Sequence, residues 1–266
     1  MNITDRAMSS QILNGFTDSG AKAPKAFTDA HERATRIAAA VRNLGAGQGD
    51  LAQAVMQALD AGRDPATDAD VQRIAVAAQI ANPGIEQQID AMAFDGFREA
   101  CTAHTDAIIA AWRKPFDVAA AALTEAHARI GDVPLEDTGT IMRKGADVAE
   151  VWAKATAAVK VIDAVDAAWQ ALGTISGSSS SDRRYRVLRI AAVDFETWVE
   201  REYEGMRLSP WAAIGAGLTL SLPTMTEYRG RVAVITAGAE QVAAEQEDDR
   251  RAYLTGRRPT DRTPIG

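Results

Sequence analysis

Residues 141–172, IMRKGADVAEVWAKATAAVKVIDAVDAAWQAL, carry apolar side chains at spacings of three and four. This periodicity places them on one face of a helix. Alanine fills much of the rest of the stretch, and it favours helix because it loses no side-chain entropy on folding. The pattern therefore predicts one long helix. Its apolar stripe consists of Val148, Trp152, Ala155, Val159, Ile162, Val165, Trp169 and Leu172.

A second stripe of the same kind precedes it and predicts a helix over residues 83–112, which at 1.5 Å per residue would be roughly 45 Å long. Pro115 lacks an amide hydrogen and is expected to kink or break this helix before the stripe resumes to Ile130. A turn is predicted at residues 131–140. Two long striped helices on either side of one turn predict an antiparallel helical hairpin. The stripe from Pro83 is made of Ile85, Ile89, Met92, Phe97, Cys101, His104, Ile108 and Trp112.

The rest of the chain also favours helix, since aromatic residues make up only 6% of the 266 residues. Helices are predicted from about residue 30 to 44, 50 to 61 and 183 to 204, with a short one after Ser209-Pro210 and a last one after the capping box Thr224-Glu227. Residues 218–223, LTLSLP, are the one good strand candidate, and the partner of that strand would be another chain. The fold class is therefore all-α, an elongated antiparallel hairpin with additional helices and at most one short strand.

Composition and periodicity predict five segments along the chain. Residues 1–25 are polar and aperiodic and predict an N-terminal arm, and residues 26–174 predict a helical bundle that contains the long hairpin. A serine-rich linker follows at 175–182, then a C-terminal helical region at 183–254. Residues 255–266, TGRRPTDRTPIG, lack an apolar stripe and predict a C-terminal arm.

The sequence contains no recognisable motif for catalysis, for a cofactor or for a metal. Neither of the common glycine-rich phosphate loops occurs, and no nucleophile elbow is present. The three histidines, His31, His104 and His127, are not spaced as zinc ligands require. Cys101 lies on the apolar stripe and is interpreted as a small buried hydrophobic residue. We therefore expect a protein that is not an enzyme and uses no cofactor.

Charge and hydropathy limit the partners. The net charge of −7 disfavours a surface built throughout for nucleic acid. No secretory signal is visible at the N-terminus, so synthesis and use in the cytoplasm are expected. The uncharged stretch 208–226 has an apolar centre of 12 residues, 211–222. A membrane span needs about 20 residues, so no membrane partner is predicted.

The most basic stretch, residues 175–189 (ISGSSSSDRRYRVLR), joins the serine tract to four arginines. Ser181-Asp182 is expected to cap a helix on which arginines three positions apart share one face. Such a face could contact phosphates, as in a helical nucleic-acid-binding or adaptor module, or it could contact the carboxylates of a partner subunit. Both alternatives stay open. The residues concerned are Arg183, Arg184, Tyr185, Arg186 and Arg189.

The uncharged stretch between Pro210 and Pro223 is predicted to be either a buried core segment or a subunit interface, because a lone strand candidate and an apolar segment need a covering surface. A structural assembly protein that forms a homo-oligomer is the function class that this pattern favours. The predicted interface residues are Trp211, Ile214, Leu218, Leu220 and Leu222.

Residues 57–73, QALDAGRDPATDADVQR, resemble stretches of uncharacterised proteins from the structural-gene modules of phages that infect actinobacteria. The alanine-rich chain, with arginine favoured over lysine, is similar in character. The resemblance implies a virion protein that is made in the host cytoplasm. It also implies a capsid-associated, scaffolding or head–tail junction role, with other particle proteins and further copies of itself as partners.

Overall fold

The computed structural model describes residues 3–44, 50–80, 83–177, 183–203 and 208–254. Within these ranges the secondary structure is helical except for one isolated backbone bridge, which confirms the all-α class. The helices are α1 Ile3–Ser19, α2 Lys25–Leu44, α3 Asp50–Asp60, α4 Ala69–Ile80, α5 Pro83–Ala103, α6 Thr105–Ile130, α7 Thr138–Arg143, α8 Ala146–Ile175, a 3₁₀ helix Arg183–Arg189, α9 Phe195–Glu200, α10 Pro210–Gly215 and α11 Met225–Leu254.

The chain divides into two compact units. The first unit comprises Met1–Pro115 and Ala167–Ser180, and the second comprises Phe116–Asp166 and Ser181–Gly266. Helices α6 and α8 each contribute residues to both units. This division differs from the predicted one, which separated residues 26–174 from 183–254. The predicted C-terminal arm, 255–266, and most of the predicted serine linker lie outside the described residues.

The first unit has an aromatic core to which the N-terminus contributes. The ring centroid of Phe16 lies 5.5 Å from that of Phe27 and 5.0 Å from that of Trp112, and Phe27 in turn lies 5.5 Å from Phe97. Phe16 belongs to α1, so the prediction of an arm over residues 1–25 is wrong for Ile3–Ser19. The sequence gives little sign of this helix, because the large side chains that α1 buries are Ile12 and Phe16, a stripe of one turn.

The long helix predicted over residues 83–112 is interrupted, but not where proline predicts. Helix α5 ends at Ala103 and α6 begins at Thr105, whereas Pro115 lies inside α6. The hydroxyl of Thr105 donates to the carbonyl oxygens of Cys101 at 2.7 Å and Thr102 at 3.1 Å. A side chain thus bonds carbonyls of the last turn of α5, which is a common way for threonine to disturb a helix.

Helices α3 and α4 form a small core of their own from Ala54, Ala58 and Val71. The start of α4 is capped by Asp68, whose Oδ1 accepts from the backbone N–H groups of Asp70 at 3.0 Å and Val71 at 3.1 Å. The preceding residue, Thr67, donates its hydroxyl to the carbonyl of Asp64. A carboxylate satisfies two free amides of the first turn where the hydroxyl would satisfy one.

In the second unit, the helix predicted over residues 141–172 forms as two helices, α7 and α8. They are separated at Gly145, whose φ of +112° is a conformation that side-chain-bearing residues rarely adopt. The Trp152 side chain then fixes the turn before α7, since its Nε1 donates to the carbonyl oxygen of Leu135 at 2.9 Å.

The helix predicted over residues 183–204 is also wrong. A 3₁₀ helix, Arg183–Arg189, is followed by extended residues and then by α9, whose N-cap is Asp194. The predicted strand at 218–223 is a single bridge between Leu220 and Ala191. Its partner is therefore the same chain. Arg231 holds the two segments together, because it donates to the carbonyls of Leu188 at 2.8 Å and Ser221 at 3.3 Å.

Two predicted helix starts are confirmed. The hydroxyl of Ser209 accepts from the backbone N–H of Ala212 at 3.2 Å, with Pro210 in the first position of α10. The capping box before α11 is reciprocal: the N–H of Thr224 donates to the Glu227 carboxylate at 2.6 Å, and the N–H of Glu227 donates to the Thr224 hydroxyl at 3.1 Å. Helices α10 and α11 therefore begin at the capping residues that their sequences predict.

Candidate functional site: a groove beside helix α11

Helix α11 packs on the second unit only along its first half. It buries Met225, Tyr228 and Ile235. From Ala239 to Leu254 every side chain is exposed except those of Glu245 and Ala252, which are half-buried. The second half of α11 therefore has most of its surface exposed.

An open groove of about 810 Å³ lies between α11, α9 and the 3₁₀ helix. Aromatic side chains form its floor, since the rings of Tyr185 and Trp198 lie 5.9 Å apart between centroids. Val199 and Val242 lie at its edges and remain 56% and 41% exposed. We call this feature the α11 groove. Its apolar lining is Tyr185, Phe195, Trp198, Val199, Ile235, Ala239, Val242 and Ala243.

The shape of the α11 groove depends on a glycine inside the helix. A Cβ atom placed on Gly238 would lie 2.2 Å from Cγ of Phe195, far inside van der Waals contact. Without that Cβ, the Phe195 ring lies directly against the backbone of α11. Glycine in a helix interior is unfavourable by about 1 kcal/mol relative to alanine, so its presence at position 238 is explained by this close approach.

The rim of the groove carries Glu202, Glu240 and Arg184. The guanidinium of Arg184 lies 5.3 Å from the ring centroid of Tyr185. Glu202 has a φ of +53°, the only positive φ of a non-glycine residue in the described part of the chain. It lies two residues after the end of α9, and its N–H donates to the Val199 carbonyl at 3.1 Å. This conformation costs a residue with a side chain about 1–2 kcal/mol.

No known protein family matches the sequence, and no characterised protein or solved structure matches it at a significant level. The groove is therefore interpreted from its own residues.

The structure separates the predicted arginine cluster. The side chain of Arg183 lies outside the described residues, Arg184 is exposed at the groove and Arg186 is half-buried. Arg189 is buried, and its Nε and Nη2 donate to the two carboxylate oxygens of Asp166 at 2.6 and 2.9 Å. Burial alone would lower the pKa of Arg189, but the bonds and charge of Asp166 outweigh it and the pKa is raised.

The prediction of a contact face formed by arginines three positions apart is therefore wrong for Arg189, which supports the fold. A spacing of three and six residues also gives one face in a 3₁₀ helix, but the non-helical torsion angles at Tyr185 interrupt this segment, and its last residue, Arg189, is buried. Tyr185 is half-buried and faces the α11 groove, where its hydroxyl lies 3.5 Å from that of Thr236.

The predicted subunit interface is also divided by the fold. Trp211, Leu220 and Leu222 are buried in the second unit, so the prediction that they form a surface between subunits is wrong. The Nε1 of Trp211 donates to the Val133 carbonyl at 3.0 Å, which ties the segment to its own chain. Ile214 and Leu218 are half-buried beside a second groove, of about 470 Å³, against α6, and their role in an interface stays a prediction.

The first unit has an open groove of its own, of about 570 Å³, between α2 and α5. Small residues line it, and Gly96 has open space where a Cβ would be. Met92 lies at this groove and is 68% exposed.

Reactive chemistry has little support among the described residues. Burial raises the pKa of the Cys101 thiol to about 12, so the thiol is protonated and unreactive at neutral pH. No group of three or more His, Cys, Asp or Glu side chains that could hold a metal is found in the described ranges. No helix there is long and apolar enough to cross a membrane.

Proposed function

We propose that this chain is a non-catalytic structural protein that acts by binding other protein subunits in a phage particle. One observation carries the proposal: each unit keeps large apolar side chains exposed beside an open groove between helices. Met92 in the first unit and Val199 in the second are 68% and 56% exposed. Grooves of this kind accept a helix or apolar side chains of a partner protein.

The residues of the α11 groove favour binding over catalysis. Its lining contains apolar side chains, charged rim residues, Thr236 and Gln246, with no histidine, cysteine or serine among them. Glu202, Glu240 and Tyr185 could serve acid–base chemistry, but the lining as a whole is predominantly apolar. Apolar area flanked by charges is instead the composition of a protein-binding surface.

The phage particle is proposed on the resemblance of residues 57–73 alone. In the structure this stretch forms the end of α3, a turn and the start of α4. Arg63 pairs with Asp68, which also caps α4, so these charges serve the α3–α4 hairpin. The roles proposed within the particle are capsid-associated, scaffolding or head–tail junction protein.

Binding to nucleic acid through the arginine cluster is the weaker alternative. Arg189 is not available to bind phosphates because it forms an ion pair with Asp166. The guanidinium of Arg184 lies over the ring of the neighbouring Tyr185. The net charge of −7 also disfavours binding to a polyanion such as nucleic acid, except through a local basic patch.

The proposal is tested on particles that are purified by density gradient from cells producing the chain during phage infection. Mass spectrometry with isotope-labelled peptides gives the number of copies per particle, in mature particles and in assembly intermediates. We expect several copies in one of these fractions. A chain that stays in the particle-free fraction at every stage would refute the proposal.

A pair of variants connects this test to the first-unit groove. Met92→Lys places a charge on the exposed apolar side chain, whereas Gln88→Lys places the same charge on an exposed polar position of α5, one turn away. Both proteins are expected to fold. Only Met92→Lys is expected to lower the number of copies per particle.

A further inference from the structure

Helix α1 covers the aromatic core of the first unit through a short contact. Among its described side chains, Ile12 and Phe16 are the large ones that are buried, and they lie one turn apart. Ser10, Asn14 and Gly15, which favour helix weakly, lie in the middle of α1. An isolated helix of about this length is marginal in water. Helix α1 is therefore helical because it is packed, and we expect it to unfold when it leaves the core.

The contact also buries a hydrogen-bond donor without an acceptor. Trp112 is fully buried, and its indole Nε1 has no hydrogen-bond partner among the described residues. The indole edge that carries this nitrogen faces α1, since Cε2, the carbon bonded to Nε1, lies 3.4 Å from the position of a Cβ on Gly15. A buried N–H without an acceptor loses the hydrogen bond that water would supply. Departure of α1 restores that bond, which lowers the free-energy cost of opening.

A short connection joins α1 to the rest of the first unit. Residues 20–24 lie between α1 and α2, and Gly20 has a φ of +70°, which places a tight turn directly after α1. Five residues span at most about 17 Å when they are extended. Short hinges between a terminal element and its domain favour exchange of that element between copies of a protein.

We propose that α1 opens as a unit and that the surface it leaves binds α1 of a second copy of this chain. We call this surface the α1 seat; it consists of Phe27, Trp112 and Ala168. The structure shows which segment fits the α1 seat, because the Phe16 ring lies 5.5 Å from that of Phe27 and 5.0 Å from that of Trp112. Exchange of identical elements keeps these contacts and changes only which chain supplies them. Such an exchange goes beyond the proposed function, which assigns no role to α1.

The α1 helix of the same chain competes with α1 of a second copy for the seat. The apparent affinity of the α1 seat for an external helix is its intrinsic affinity multiplied by the fraction of chains whose own α1 is open. Substitutions that weaken the chain's own α1 are therefore expected to strengthen the binding of an external, unchanged α1. A surface that is always accessible would not respond in this way.

The test uses the full-length chain and a fluorescently labelled peptide of residues 1–22, with binding followed by fluorescence anisotropy. Phe16→Ala in the chain is expected to lower the apparent Kd of the wild-type peptide at least about 100-fold, since it removes the main anchor of the competing helix. Gly15→Ala in the chain forces α1 away from Ala168 and keeps Phe16, and it is expected to lower the apparent Kd about tenfold.

Two controls accompany these variants. Gln11→Ala in the chain is the matched substitution, because Gln11 is exposed on α1, and it should change the apparent Kd by less than about threefold. A peptide that itself carries Phe16→Ala should bind none of the chains. Circular dichroism shows whether each chain keeps its other helices, and Gly15→Ala decides the test if Phe16→Ala does not fold.

Exchange between full-length chains is measured by sedimentation equilibrium. Wild type with a fluorophore at its N-terminus is mixed with an excess of unlabelled Phe16→Ala chain, whose α1 seat is open. The labelled wild type is expected to be found in dimers, and labelled Phe16→Ala chain mixed in the same way is expected to form fewer of them.

Hydrogen exchange of the wild type measures the opening directly. The indole N–H of Trp112, assigned by its loss in Trp112→Phe, is expected to exchange at the rate of the α1 amides. Both should exchange faster than the amides in the middle of α8, because α1 opens without global unfolding.

A peptide that binds wild type and Gly15→Ala with the same Kd, or that binds neither Phe16→Ala nor Gly15→Ala below about 1 mM, would overturn the inference. So would equal dimer formation by labelled wild type and labelled Phe16→Ala, or α1 amides that exchange as slowly as those of α8. These results are separable from the particle test. A chain that exchanges α1 but is absent from particles contradicts the proposed function alone, and a chain that enters particles without exchanging α1 contradicts the exchange alone.

Discussion

The packing of α1 against the first unit can be tested by one methyl group. Gly15 faces α8, and a Cβ placed on it would lie 2.3 Å from Cβ of Ala168 and 3.3 Å from Cζ2 of Trp112. Ala168 and Trp112 are both fully buried. Because Ala168 has no side-chain torsion that could move its Cβ away, Gly15→Ala must separate α1 from α8.

The expected magnitude combines two opposite effects. Overpacking in a dense core costs about 1–3 kcal/mol, and a contact with Cβ of the neighbouring helix belongs at the upper end. Alanine gains about 1 kcal/mol over glycine in a helix interior. The net effect is a loss of about 2 kcal/mol in the free energy of unfolding. In the Gly96→Ala variant, inside α5, the new Cβ meets no atom within 4 Å. This variant should therefore show only the gain in helix propensity, about 1 kcal/mol in the free energy of unfolding.

The measurement is thermal unfolding of the two variants and the wild type, followed by circular dichroism. A change of 1 kcal/mol shifts the midpoint by about 2–4 °C for a chain of this size class, so the two variants should differ by roughly 6–12 °C. Hydrogen exchange should show faster exchange in α1 of Gly15→Ala. If Gly15→Ala melts at the same temperature as Gly96→Ala, α1 does not pack on α8 at this contact.

Three further predictions concern buried or capping groups. Arg189→Met leaves the Asp166 carboxylate without its partner and should lower the free energy of unfolding by about 3 kcal/mol in urea titration, with much of the loss restored by adding Asp166→Leu. Native Cys101, with a pKa of about 12, should react with iodoacetamide at pH 8 more than about 100-fold slower than in urea; equal rates would contradict its burial. The backbone N–H of Thr197 donates to the Asp194 carboxylate at 2.7 Å and lowers the pKa of that carboxyl. The stability that this hydrogen bond contributes is therefore present above the unfolded pKa and is lost as the pH falls through the folded pKa. The difference in melting temperature between wild type and Asp194→Ala should therefore be constant near pH 7 and shrink below about pH 4.

Local patterns predict the helices that carry strong stripes and caps. The stripe from Val148 is observed in α8, and its members Ile162, Val165 and Trp169 are buried. The caps at Ser209 and Thr224 follow from side chains that bond the next free amides, which is a property of a few adjacent residues.

Tertiary contacts decide what those patterns miss. The predicted helix after Asp182 gives way to a 3₁₀ helix and an extended segment, where Arg189 bonds Asp166 from a position 23 residues away in sequence. The α11 groove combines residues from Arg184 to Gln246, and no spacing rule connects them. The sequence feature that indicates this groove is Gly238, since a glycine inside a helical pattern points to the close approach of another segment.

Small residues connect the composition of this chain with its grooves. Alanine and glycine let helices approach closely, as Gly15 does at Ala168, but they cannot fill the space where two helices diverge. The three open grooves described above have such residues in their walls, with Ala34 and Gly96 in the first unit, Ala120 of α6 opposite α10, and Ala239 of α11. A larger side chain at any of these positions would fill the groove from within the monomer. The volume that alanine leaves open is therefore the volume that the proposed partner would occupy, and it follows from the same composition that makes the chain helical.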